Sequence, residues 1–97
     1  MPTYIHLIRF TQKGIENIKE GATRLDAVKQ SYKAMGAEIK GFYLMMGQYD
    51  AVVIVEAPNE ETIAKVALAS GTRGTVRSET SRAFTEEEYR KILASLP

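Results

Sequence analysis

Ninety-seven residues are expected to form one domain, 1–97. Thirteen Lys and Arg against twelve Asp and Glu leave a formal charge of +1, which excludes binding dominated by phosphate neutralisation, and 44% hydrophobic content excludes a disordered chain. With no Cys and one His, disulfides, thiolate nucleophiles, iron–sulfur clusters and metal sites built on imidazole pairs are excluded as well, and no cofactor is expected.

Tyr4 to Phe10 is rich in β-branched and aromatic residues and predicts a first strand. Thr11 follows as an N-cap. Apolar residues at Ile15, Ile18, Ala22, Leu25, Val28, Tyr32 and Met35 then recur at helical spacing. Gly21 interrupts this run and Thr23 offers a fresh cap, so a short helix over 12–19 and a longer one over 23–35 are predicted. Gly36 is placed to end the second helix in a left-handed conformation. Ile39 to Met46 is a second strand, with turn residues at Gly47-Gln48-Tyr49-Asp50. Ala51 to Glu56 is a third, its unbroken Ala-Val-Val-Ile-Val marking a central position. Asn59 caps a helix whose first turn carries Glu60 and Glu61 and whose inward stripe is Ile63, Val66, Ala67 and Ser70. Thr75 to Phe84 is a more polar fourth strand, hence an edge. Thr85-Glu86-Glu87-Glu88 opens a final amphipathic helix bearing Tyr89, Ile92, Leu93 and Leu96.

The order is βαββαβ with an extra C-terminal helix. Right-handed crossovers turn this order into an α+β, ferredoxin-like sheet of order 4-1-3-2 with both long helices on one side. The opposite side should read polar, and it does not: both parities of strands one, two and three carry large apolar residues. Several hundred Å² of apolar sheet would stay open, at or beyond the largest patch usual on a monomer. A second copy stacked through its own sheet is the simplest cover, so a homodimer, or a higher oligomer built from it, is expected. The alternative cover is the C-terminal helix folded across the same face.

From Phe42 through Gly47-Gln48-Tyr49-Asp50 to Pro58 the chain resembles the GYD domain family, whose Gly-x-Tyr-Asp element joins strands two and three. Lys13-Gly14-Ile15, Gly74-Thr75-Val76-Arg77-Ser78-Glu79-Thr80 and Arg82-Ala83-Phe84-Thr85 extend the resemblance over nearly the whole chain; Ser81 departs from it, standing where a Leu is expected. The resemblance implies a dimeric α+β barrel and no particular activity. Related barrels include cofactor-independent monooxygenases, haem-handling enzymes, isomerases and ligand-sensing modules, and the fold does not choose among them.

The candidate ligand-binding residues are His6, Tyr43, Thr80 and Arg82. His6 could do acid–base work, ligate an iron or be a hydrogen-bonded core residue; nothing supplies a recognisable haem attachment. Tyr43 could orient a substrate carbonyl or anchor the sheet. Arg82, sharing a strand face with Thr80 and Ser78, could clamp a carboxylate or pair with Glu79 or Glu88. Gly47, Tyr49 and Asp50 are expected to fix the hairpin. Met45 and Met46 read as core filler. Gly71-Thr72-Arg73-Gly74 lacks the spacing and Lys of a phosphate-binding loop, and the sheet lacks the basic–aromatic interleaving of an RNA platform. No stretch approaches the roughly 18 apolar residues of a membrane span, and the N-terminus lacks a secretory pattern, so neither membrane nor nucleic acid is an expected partner and the location expected is cytoplasmic. Two readings follow. One is a homodimer binding a small apolar or aromatic molecule, with cofactor-independent oxidation or isomerisation a lesser variant; the other is a non-catalytic oligomerisation or regulatory module without a pocket.

Overall fold

A computed structural model describes all 97 residues. The strands are β1 (Thr3–Phe10), β2 (Glu38–Leu44), β3 (Ala51–Glu56) and β4 (Val76–Ala83); the helices are α1 (Gln12–Glu16), α2 (Gly21–Ala34), α3 (Glu60–Thr72) and α4 (Glu86–Ala94). The sheet is antiparallel throughout and runs β2-β3-β1-β4, the 4-1-3-2 arrangement counted from the other edge. The ferredoxin-like α+β fold is thus present, with β4 at an edge and β1 and β3 central.

Helices α2 and α3 cover the sheet face that carries Tyr4 and His6 from β1 and Val53 and Val55 from β3. Tyr32 of α2 and Ile63 and Val66 of α3 pack with Tyr4, Val53 and Val55, and Ala37 and Ala57 close the cluster. Only 12 of the 97 residues are buried, so one chain alone hides little of its apolar surface. Asn59 caps α3 through its side chain on Thr62 N–H, 2.9 Å, and Gly36 takes φ +89° after α2. Thr85 and Glu88 exchange the two reciprocal bonds of a capping box at α4.

Three boundaries differ from expectation. Gly21 does not break the helix: a 3-10 turn over Ile18–Glu20 runs straight into α2, and Gly21 adopts φ −58°, ψ −39° as its first residue. Thr23 is therefore inside α2 rather than its cap. Strand β2 stops at Leu44, because Met45 N–H turns to bond Asp50 C=O at 2.8 Å and closes the loop. Met46 is then 97% exposed, which corrects its reading as core filler.

The far side of the sheet carries Ile5, Leu7, Val52 and Ile54, half-buried, with Tyr43 beside them. Helix α4 does not lid this face; its apolar stripe of Tyr89, Ile92 and Leu93, with Leu96 just beyond its end, stays 43–61% exposed. No helix of the chain is long and apolar enough to cross a membrane.

Candidate functional site

Between α2 and the helix-covered side of the sheet lies a cavity of about 450 Å³, within the roughly 300–1,000 Å³ range of small-molecule sites. Its floor is His6, Ile8 and Phe10 of β1 with Val53 of β3 and Phe42 and Leu44 of β2; its roof is Leu25, Val28 and Tyr32 of α2. Ser70 and Arg73 at the end of α3, Thr75 and Ser78 around β4, and Arg24 of α2 add its polar groups. The cavity exists because small and polar side chains on β4 and a glycine and alanine at the start of α2 leave space that the larger residues do not fill.

His6 is 2% exposed. Its Nδ1 lies 2.7 Å from Thr80 Oγ1, across the β1–β4 pairing that sets the two residues opposite each other. The ring meets Tyr32 edge to face at 6.2 Å. Its other nitrogen, Nε2, is buried with no hydrogen-bond partner. Burial lowers the imidazole pKa to about 4, so the ring is neutral at physiological pH. Tyr32 hydroxyl stands 3.4 Å from Ser70 Oγ; burial raises its pKa, against the Ser70 bond and the nearby Arg73 guanidinium, which both lower it.

Of the four candidates, the structure brings together His6 and Thr80. Tyr43 projects from the opposite face of the sheet, 61% exposed. The reason is a register shift between Ile39 and Gly41: Ile39 pairs with Val55 and Phe42 with Val53, so two residues of odd spacing point the same way. Past the bulge, Phe42 and Leu44 line the cavity and Tyr43 faces away. Arg82 lies at the far end of β4. Its guanidinium stacks over Phe84 at 4.5 Å, sits 5.7 Å from the Tyr4 ring, donates to the Thr3 and Ala83 carbonyls and pairs with Glu88 at 3.5 Å. Arg24, Tyr32 and Arg73 also line the cavity, and nothing along the chain marks them as site residues. Ser70, on the predicted inward stripe of α3, was the one signal that polar groups face inward there.

A second cluster explains Gly47-Gln48-Tyr49-Asp50. Gly47 takes φ +115°, which only glycine adopts readily. Asp50 N–H bonds the Ile8 carbonyl at 2.8 Å, and its carboxylate accepts from Phe10 N–H, also at 2.8 Å. These bonds carry the pairing of β1 on past the end of β3. Tyr49 reaches over the open face and donates to Glu79 of β4 at 2.8 Å, a bond that raises the phenol pKa. Arg9 lies over the Tyr49 ring at 4.6 Å and donates to the Gln48 carbonyl. The loop is stitched to the end of β1 and to β4. Lys13-Gly14 and Gly74-Thr75, distant in sequence, also meet: Lys13 Nζ donates to Arg73 C=O, Thr11 hydroxyl to Gly74 C=O, and Thr11 N–H to Thr75 C=O.

The family model for the GYD domain matches residues 4–93. The chain belongs to the GYD domain family. A Thermus thermophilus protein named glutamine synthetase and cystathionine beta-lyase binding protein is 33% identical to this GYD domain over 85 residues, covering 87% of the chain and 90% of that protein. In this GYD domain no group of three or more His, Asp or Glu side chains converges as a metal site.

Proposed function

We propose that this GYD domain is a homodimeric binding module that holds a small apolar or aromatic molecule in the cavity between α2 and the sheet. The observation that carries the reading is His6 Nε2, a buried ring nitrogen without a partner in a largely apolar chamber. An unpartnered buried polar atom costs about 1–3 kcal/mol, which a ligand hydroxyl or carbonyl reaching it would offset. Thr80 orients the imidazole, and the aliphatic floor and roof supply the rest of the binding energy. A module built only for assembly would instead have a filled interior.

Binding is favoured over catalysis by the same residue. With a pKa near 4, His6 is a weak base at neutral pH, poorly matched to the proton abstraction that oxidation or isomerisation requires. The test is a thermal-shift screen of aromatic and aliphatic metabolites on the wild-type protein, His6→Gln and Tyr43→Phe. Ligands are expected to raise the wild-type and Tyr43→Phe melting temperatures and to lose most of the effect in His6→Gln. A screen in which nothing shifts the wild type, or in which His6→Gln responds in full, rejects the site.

A second reading, a module that docks other proteins, is favoured by the name of the Thermus relative and by the exposed stripe of α4. Retention of purified glutamine synthetase or cystathionine beta-lyase on the immobilised domain would support it, and its loss in Leu93→Ser would assign it to α4.

A further inference from the structure

The charged groups of the cavity are all of one sign. Arg24 and Arg73 line it, half-buried, and no Asp or Glu does. Neither guanidinium is in an ion pair; the pairs of the chain use Arg9, Lys40, Lys65, Arg82, Arg90 and Lys91. Arg24 directs one N–H to the Asn17 carbonyl at 2.9 Å, and the Arg73 side chain makes no hydrogen bond at all. Twelve acidic residues are available in the chain, yet none is placed to neutralise either cation.

A half-buried guanidinium with free donors beside an apolar wall focuses positive potential into the chamber and offers a planar fork that matches a carboxylate. Among the lining residues the one buried side-chain polar atom without a partner is the His6 nitrogen, on a ring that carries no charge at neutral pH. The site therefore combines two cations without a counter-ion, a largely apolar lining and one neutral hydrogen-bonding point. We infer that the ligand of this cavity is an amphipathic carboxylate, an aromatic or aliphatic acid whose anion is held by Arg73 and Arg24 while its apolar body lies on Ile8, Val28 and Val53. The inference rests on the pocket reading above and adds the charge and class of the ligand to it.

The experiment is calorimetric titration with two acid–amide pairs, 4-phenylbutyrate with 4-phenylbutyramide and octanoate with octanamide. Each amide keeps the shape of its acid and removes the charge. The wild type is expected to bind the acids at least about tenfold more tightly than the amides, as charge-assisted hydrogen bonds to a guanidinium require. Added salt should weaken the acids alone. In the double variant Arg24→Gln, Arg73→Gln the preference should fall below about threefold while amide binding persists. Arg82→Gln, outside the cavity, should keep the full preference. Acids and amides binding the wild type equally would overturn the anion inference and leave the pocket standing, as would a preference that survives in the double variant. Failure of all four probes to bind would overturn the pocket reading and this inference together.

Discussion

His6 couples the core to pH. Its folded pKa of about 4 lies below the unfolded value of about 6.5, so between these limits the unfolded chain binds a proton that the native protein does not. Stability contributed by keeping the ring neutral is present above pH 6.5 and is lost as pH falls toward 4. Between pH 7 and pH 5 the loss should be about 2 kcal/mol in urea melts. His6→Gln, lacking a titratable group and leaving no other histidine, should show little of this slope; an unchanged slope would mean that the imidazole is not the source. Gly14 makes a different kind of prediction. It is buried, and a Cβ there would run into the Thr75 carbonyl oxygen, a backbone atom held by Thr11 N–H. Gly14→Ala should cost about 1–3 kcal/mol of unfolding free energy by overpacking. The importance of this glycine lies in its close approach to Thr75, 61 residues further along, which its own neighbours in the chain do not reveal.

Helix α4 and the loop after β2 illustrate opposite relations between local signal and packing. The capping box of α4 is complete: the Thr85 backbone N–H, helped by its hydroxyl and by Arg82, holds the Glu88 carboxyl below its ordinary pKa. The helix nonetheless packs little of its stripe on the domain. Thr85→Ala should therefore cost about 1 kcal/mol within α4, seen as faster amide exchange at Ile92 to Ala94, and leave the global urea midpoint nearly unchanged. A clear fall of the midpoint would show that α4 is coupled to the core. The Gly47–Asp50 loop has weak local propensity but is anchored from outside itself, by Asp50 on Phe10 N–H and by Tyr49 on Glu79. Asp50→Ala strips a charged acceptor from a strand end and should lower stability by about 1.5–3 kcal/mol in the same urea melts.

The molecule as a whole leaves one sheet face open. Ile5, Leu7, Val52 and Ile54 stand together there, no helix covers them, and Tyr49, Arg9 and Glu79 form a polar margin at one end. Burying several hundred Å² of such surface at about 25 cal/mol per Å² outweighs a modest association cost, so stacking against a second copy is the assembly we propose. Sedimentation of the wild type at micromolar concentration should give twice the chain mass. Ile54→Lys, which places a cation at the middle of the face, should give the single-chain mass with the fold retained. A wild-type monomer under those conditions would remove the sheet-stacking dimer.

The element order, the central place of the Ala51–Glu56 run, the ends at Gly36 and Asn59 and the capping box at Thr85 were all readable along the chain, because each depends on side chains within a few residues. Fold class followed from that order, since handedness rules leave few ways to arrange it. The candidate site was readable only in part. His6 could be singled out as the lone imidazole on an apolar strand, and Thr80 as a polar residue of β4, but their contact at 2.7 Å is a product of strand register. The bulge between Ile39 and Gly41 turned Tyr43 to the opposite face, and strict alternation along β2 gives no warning of it. The cavity, and the placing of Arg24 and Arg73 on it without a carboxylate, arise where α2, the end of α3 and all four strands converge. Empty space has no residue to announce it, and its charge is a sum over segments that meet only when the chain is folded.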